Sequence, residues 1–386
     1  MVSSRIGSRG LSSEITIMRW DPYIFRQGED FDAFWENYAK ETSRRFLFVL
    51  GRGYDPRALS VLEKIVGFGG EVDIWLLAFD NGFQDSELRI QLTLDNVKKL
   101  EALVGASKIH EIEVSLGRSG QGNATSRNVR QALRTAGSLD VYTDVVVDIS
   151  AMPRMVALTA VASLLHELDK MSVDGPDVNL HVTTAESVSA DIGAARGTLR
   201  DDVTNVIGFG GQLDSESTDQ IPRVWFPVLG EQQGIRLSRI RDKLNPDEIC
   251  PVIPFPTREP RRGDEIIREH RQLLFEEFQV EPGNILRASE YNPFEAYKQI
   301  FAAMDRYRRA LSELGGCKAF VSPLSSKLLS VGALLACYDH RYGAIAGDRM
   351  SVGVLYVETA DYSDPVIESD TEYQLSSMWL RGDWER

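Results

Sequence analysis

Cysteine is scarce in this chain. Cys250, Cys317 and Cys337 are odd in number, far apart and set among apolar residues, a pattern that argues against a disulfide framework or a cysteine-based zinc site and reads as three buried thiols. The five histidines, His110, His166, His181, His270 and His340, form no His-x-x-x-His or His-Glu-x-x-His pair; each reads as structural, with His181 alone expected near a ligand-binding edge. A Gly-x-Ser-x-Gly elbow is also missing, which disfavours a hydrolytic triad. No apolar run approaches the roughly 18 to 20 residues of a membrane span, and the N-terminus lacks the apolar centre of a secretory signal. A cytoplasmic protein is expected. Positive charge is in deficit: 43 Lys and Arg face 57 Asp and Glu, a net charge of -14. That excludes general nucleic-acid binding, which rests on a basic excess, and leaves room only for a local basic pocket.

At 386 residues and 43% hydrophobic content, the chain has length and apolar material for two domains of about 100 to 200 residues each. Short apolar runs alternate with helical spacing throughout. In the first half they are Phe46 to Leu50, Val72 to Phe79, Ile109 to Val114, Val145 to Ile149 and Val178 to Thr183; in the second, Val224 to Leu229, Ile249 to Phe255, a strand near Ile285, Ala319 to Val321 and Val352 to Val357. Strands apolar along their whole length, separated by helices, indicate parallel sheets covered on both faces. The fold class expected is α/β, with two tandem Rossmann-like parallel-sheet domains.

The spacings point to an internal duplication. Leu50 to Ser150 spans 100 residues and Leu229 to Ser322 spans 93, while Ser150 to Thr183 and Ser322 to Val357 span 33 and 35. The boundaries expected are a weakly ordered N-terminus at 1–18, a first domain at 19–186, a linker at 187–222 with room for one helix or hairpin, a second domain at 223–364 and a C-terminal tail at 365–386 that Trp379 and Trp384 can dock. Asn123 or Thr125 is the expected cap of the helix that follows them.

In an open parallel sheet, ligands bind beyond the carboxyl ends of the strands. The loops after the first strands, Gly51-Arg52-Gly53-Tyr54-Asp55-Pro56-Arg57 and Gly230-Glu231-Gln232-Gln233-Gly234-Ile235-Arg236, combine glycines that admit a close ligand with Arg57 and Arg236, suited to phosphate or carboxylate. Pro56 replaces the third glycine of a dinucleotide fingerprint and no P-loop lysine follows, so NAD-dependent and ATP-hydrolysing activity are disfavoured. After the fourth strands, Ser150 to Arg154 and Ser322 to Lys327 each place a hydroxyl at the strand end and a cation in the first helical turn. A cation there opposes the helix dipole, at a cost of a few tenths of a kcal/mol, unless an anion is near. Ser325, Ser326, Arg258, Arg261 and Arg262 join this anion-binding set, and Lys327 and Arg236 are expected to be exposed. Asp55, Asp80 and Asp148, at or just after strand ends, are candidate metal ligands or general bases, with helix capping as the other reading. Trp75, Trp225, Phe255 and Tyr356 are expected in the core, and Tyr54, Tyr291 and Tyr362 in edge loops where they can stack on a base.

Asp148-Ile149-Ser150-Ala151-Met152-Pro153-Arg154-Met155 and Val321-Ser322-Pro323-Leu324-Ser325-Ser326-Lys327-Leu328-Leu329-Ser330-Val331-Gly332 resemble the motif after the fourth strand of CRISPR-associated Rossmann-fold (CARF) sensor domains. Both lack the glycine pair of that family's usual Gly-Gly-Thr-Lys core. The resemblance implies nucleotide sensing in antiviral defence or signalling. Two such domains would meet around a cyclic oligonucleotide, with Ser150, Arg154, Ser322 and Lys327 as ligand contacts. On this reading the chain is a sensor of a small anionic, nucleotide-derived ligand, without a cofactor, working with a separate effector protein and open to homodimer formation. The alternative is a Mg²⁺-dependent hydrolase or transferase acting on a nucleotide or phosphorylated substrate.

Overall fold

A computed structural model describes residues 18–80, 82, 85–171, 177–186, 197–209, 221–343, 350–362, 364 and 373–385. Two sheets hold the fold. In the first half the elements are β1 (Ile24–Gln27), α1 (Glu29–Tyr38), β2 (Phe46–Arg52), α2 (Ser60–Gly67), β3 (Val72–Asp80), α3 (Glu87–Val104), β4 (Ile109–Ser115), α4 (Ala124–Ala136), β5 (Asp144–Asp148), α5 (Arg154–Met171), β6 (Asn179–Glu186) and β7 (Thr198–Asn205). The second half contributes β8 (Arg223–Val228), α6 (Gly234–Leu244), β9 (Glu248–Ile249), β10 (Val252–Pro254), α7 (Arg262–Glu269), β11 (Leu286–Ala288), α8 (Pro293–Ala310), β12 (Lys318–Pro323), α9 (Lys327–Tyr342), β13 (Ser351–Asp361) and β14 (Gln374–Arg381).

The first sheet runs β1-β14-β6-β5-β2-β3-β4 and the second β11-β10-β8-β12-β13-β7, with the short β9 beside β8. β6, β5, β2, β3 and β4 are mutually parallel, as are β11, β10, β8, β12 and β13. Every residue of β5, β6 and β12 is buried, as strands covered by helices on both faces require. The α/β class and the two mostly parallel sheets are therefore those the apolar runs indicate.

Two expectations change. The 187–222 segment carries β7, which crosses to the second half and pairs antiparallel with β13; the C-terminal segment carries β14, which returns and pairs antiparallel with β6. Each sheet thus receives a strand from beyond the other half's last parallel strand. Trp379, 9% exposed on β14, docks that returning segment as anticipated. The core ignores the expected domain boundary as well. One apolar cluster extends from Leu47 and Val147 through Leu164 on α5 to Leu335 on α9 and Val357 on β13, while a smaller cluster, including Phe31, Trp35, Leu62 and Ile65, lies under α1 and α2. The halves are joined through α5 and α9, the helices whose first residues are Arg154 and Lys327.

Cys250, Cys317 and Cys337 are free and buried, and burial pushes the first two thiols up to about 11. Trp75, Trp225 and Tyr356 belong to the core, but Phe255 is 56% exposed, because the β10 ladder stops at Pro254. His181 lies near the start of β6, away from the carboxyl edge, with its Nε2 3.4 Å from Asp144. Asn123 does not cap α4; its Oδ1 accepts from the Asn205 backbone N–H at 2.7 Å. Thr125 lies inside α4, where its hydroxyl accepts from Gly117 N–H and donates to Glu358. Asn292 does cap α8, accepting from Phe294 N–H at 3.0 Å. Among the described residues, no helix is long and apolar enough to cross a membrane.

Candidate functional site

The strands β5 and β12 end in turns that deliver a cation to the first position of the following helix, Arg154 on α5 and Lys327 on α9. At that position neither cation gains from its own helix dipole, and each reaches into the other half instead. Arg154 Nη1 donates to the Pro323 carbonyl at 2.8 Å, to Ser330 Oγ at 2.6 Å and to the Ser325 carbonyl. Lys327 Nζ donates to the Ile149 carbonyl at 2.7 Å and to the Ser150 carbonyl. The two turns therefore clasp each other reciprocally, and the carboxyl edges of the two sheets meet at this junction.

Around the clasp, the serines are mostly committed. Ser150 Oγ accepts from Ala185 N–H at 2.7 Å, Ser322 Oγ accepts from Trp225 Nε1 at 2.9 Å, and Ser326 caps α9 by accepting from Leu329 N–H at 3.2 Å. Ser325 Oγ is buried with no hydrogen-bond partner. Of Arg154, only Nη1 is engaged by described residues; its guanidinium carbon lies 5.9 Å from the Tyr356 ring centre, and that of Arg236 lies 5.4 Å from the same ring. Two cations, one from each half, so flank one aromatic ring.

Arg57 and Arg236 are not exposed ligand hooks. Arg57, 4% exposed, pairs with Asp55 at 2.7 Å and donates to the Ala185 carbonyl; Arg236, 1% exposed, donates to the Val357 carbonyl at 3.0 Å, Gln233 at 3.0 Å and Thr359 at 2.8 Å. Both bind the last parallel strand of their own sheet. Lys327 is partly buried. Gly230 is demanded by close approach, since a Cβ there would strike the Leu324 carbonyl; at Gly51 a Cβ would press on Met152 and Phe79 at 3.1 Å, whereas Gly53 has ordinary space.

The outer part of the second sheet's edge differs. Arg262 pairs with Glu231 at 2.5 Å and with Glu290, and Arg258 pairs with Glu186 of the first half at 3.2 Å while its N–H donates to Glu290 at 3.0 Å. Burial would raise the Glu231 carboxyl, but Arg262 holds it below its ordinary range. Arg261 is exposed and makes no ion pair with a described residue. Of the three arginines expected to gather an anion, Arg258 and Arg262 are thus neutralised by Glu186, Glu231 and Glu290 and Arg261 is not, and sequence reasoning missed Glu186 and Glu290 as counter-charges. The only signal was their acidity, because Glu290 lies 28 residues from Arg262 and Glu186 lies 72 from Arg258.

The acidic candidates have local duties. Asp55 caps the 3-10 turn at Pro56–Leu59 by accepting from Arg57 N–H at 2.9 Å; burial acts against its charge, but the bonds and charge of Arg57, with Lys327 beyond, hold its carboxyl low. Asp80 accepts from Gly82 N–H at 2.8 Å. Asp148, 2% exposed, accepts from Ser150 N–H at 2.8 Å and Thr183 Oγ1 at 3.2 Å, and burial pushes its carboxyl up to about 6 despite these bonds and nearby Lys327. The three do not converge, and among the described residues no group of three or more His, Cys, Asp or Glu is placed to hold a metal ion.

Comparison with protein-family models gives no match, and comparison with curated proteins gives none either.

Proposed function

We propose that the chain is a ligand-binding sensor whose junction between the two carboxyl edges receives an anionic, nucleotide-derived small molecule. The observation that carries this reading is the clasp: Arg154 and Lys327 converge from opposite halves on neutral carbonyl and hydroxyl oxygens, in a chain of net charge -14. Hydrogen bonds to carbonyls orient a cation without cancelling its charge, so the charge of Arg154, which makes no ion pair with a described residue, stays available to an incoming anion, while that of Lys327 is shared with Asp55 and Asp148. Arg154 keeps its Nε and Nη2 edges uncommitted among the described residues, and Ser325 Oγ supplies a hydroxyl with no partner. A sensor of this design acts through a partner or effector that reads the relative placement of the halves.

The metal-dependent enzyme has less support, since Asp55, Asp80 and Asp148 are separately engaged. The test is thermal denaturation against linear and cyclic nucleotides, where a ligand at 100 times its Kd adds about 2.7 kcal/mol of stability. Arg154→Gln should abolish the melting shift that the parent shows. Equal shifts in parent and variant would refute the assignment, and divalent-metal-dependent consumption of the ligand would favour the enzyme.

A further inference from the structure

Eight large apolar side chains are exposed among the described residues, and three of them, Ile235, Phe255 and Tyr291, lie on the carboxyl edge of the second sheet. They follow β8, β10 and β11, which are neighbours in that sheet. Phe255 is 56% and Tyr291 36% exposed. Their loops are fastened together: Phe255 N–H donates to the Ala288 carbonyl at 2.7 Å and Glu290 N–H to the Pro256 carbonyl at 3.0 Å. Arg258 backs Tyr291, its guanidinium carbon 6.0 Å from the ring centre, and is itself held by Glu186 at 3.2 Å. Neither ring makes a stacking contact with another described aromatic. Two rings are thus displayed to solvent from a braced support, at the edge where open α/β sheets bind ligands.

The charge of this region is largely spent internally, as Arg258 and Arg262 face Glu186, Glu231 and Glu290. What it offers is therefore aromatic surface rather than an anion trap. We propose that Phe255 and Tyr291 form a stacking subsite for a planar nitrogenous ring, the base of a nucleotide whose phosphate-bearing part lies at the Arg154–Lys327 junction. β10 and β11, which precede Phe255 and Tyr291, are two and three strands from β12, so the strands themselves are about 10 and 15 Å apart at the ordinary strand spacing, within the span of one ligand. The phosphate half of this assignment rests on the proposed function; the base half stands on the rings alone.

The halves separate experimentally when a phosphate-free nucleoside and inorganic pyrophosphate are used as independent probes, with binding followed by ligand-observed NMR titration. Adenosine and guanosine should bind the parent, and Phe255→Ala or Tyr291→Ala should each weaken that binding about five-fold or more, the range of one lost base stack. Phe255→Trp should restore it. Pyrophosphate binding should be unchanged by these variants and lost in Arg154→Gln. Both rings are exposed, so folding is not at stake, and unchanged melting of the variants without ligand confirms that. Nucleosides that fail to bind, or that bind both alanine variants as tightly as the parent, overturn the subsite. Pyrophosphate that fails to bind would overturn the junction reading, while nucleoside binding dependent on Phe255 would still establish the platform.

Discussion

Arg154 and Arg262 stand at the first positions of two helices on the same edge of the molecule, and their surroundings are opposite in kind. Arg262 meets Glu231 and Glu290, and neighbouring Arg258 meets Glu186; Arg154 and Lys327 meet carbonyl oxygens from the other half. In the outer rim the charges of Arg258 and Arg262 are cancelled and serve to fasten loops. At the junction Arg154 is oriented by neutral oxygens and makes no ion pair with a described residue, while Lys327 also acts on the Asp55 and Asp148 carboxylates. The lesson is that a cation at a strand end becomes a candidate for ligand binding only once its counter-charges are known, and those counter-charges come from distant parts of the chain.

Six substitutions break or sharpen this contrast. The largest effect belongs to Glu290→Ala, which strips buried Arg262 and Arg258 N–H of a partner. It should cost about 3 kcal/mol in chemical denaturation, from one lost charged hydrogen bond and one lost backbone hydrogen bond, since Arg262 keeps Glu231. Next, Arg154→Met and Lys327→Met should each cost about 2 kcal/mol through lost charged hydrogen bonds. Because their clasps close one junction, the double variant should lose less than the two losses added together. Costs for Arg154→Met equal to or above that of Glu290→Ala would erase the distinction between the regions.

The pH dependence has opposite sign in the two places. Asp148 titrates at about 6 when folded, above its ordinary 3.8, so the folded state binds the extra proton and the associated stability is lost as pH rises through 6. Asp148→Asn removes that loss and should gain on the parent by about 1.4 kcal/mol between pH 5 and pH 7.5. Glu231 is held below its ordinary range, so its contribution is present near neutrality and disappears as pH falls below its ordinary titration range. Glu231→Gln should therefore be weaker than the parent at pH 7 and converge with it in acid. Urea denaturation at a series of pH values checks both; parallel profiles would contradict the contrast. The smallest effect is that of Phe255→Ala, whose exposed ring should leave stability within about 0.5 kcal/mol of the parent.

Most of the parallel strands were legible because they contain a short apolar run, although β4 (IHEIEVS) alternates with charge, and the pairing of Ser150–Arg154 with Ser322–Lys327 was legible from spacing. The exchanged strands were not. Thr198–Asn205 reads TLRDDVTN, whose charges suit a strand at the open side of β13 but give no apolar run to recognise, and its pairing is broken by irregularities beside Val357 and Thr359. Phe255 was misplaced because the run Ile249 to Phe255 continues apolar past the point where the ladder ends. The clasp itself joins Arg154 to Pro323 across 169 residues, a contact that local pattern cannot convey. The burial of Arg236 was hidden for the same reason, since Val357 and Thr359 lie more than a hundred residues downstream.

Isothermal titration of the most stabilising nucleotide into the parent, Arg154→Gln and Arg258→Gln would test the central claim most directly. A junction that binds the anion predicts that Arg154→Gln weakens affinity about tenfold or more, some 1.4 kcal/mol, while Arg258→Gln, whose charge is already spent on Glu186 and whose link to the ligand is only the Tyr291 ring it backs, weakens it by less. The same loss in both variants, or a larger loss in Arg258→Gln, would contradict it.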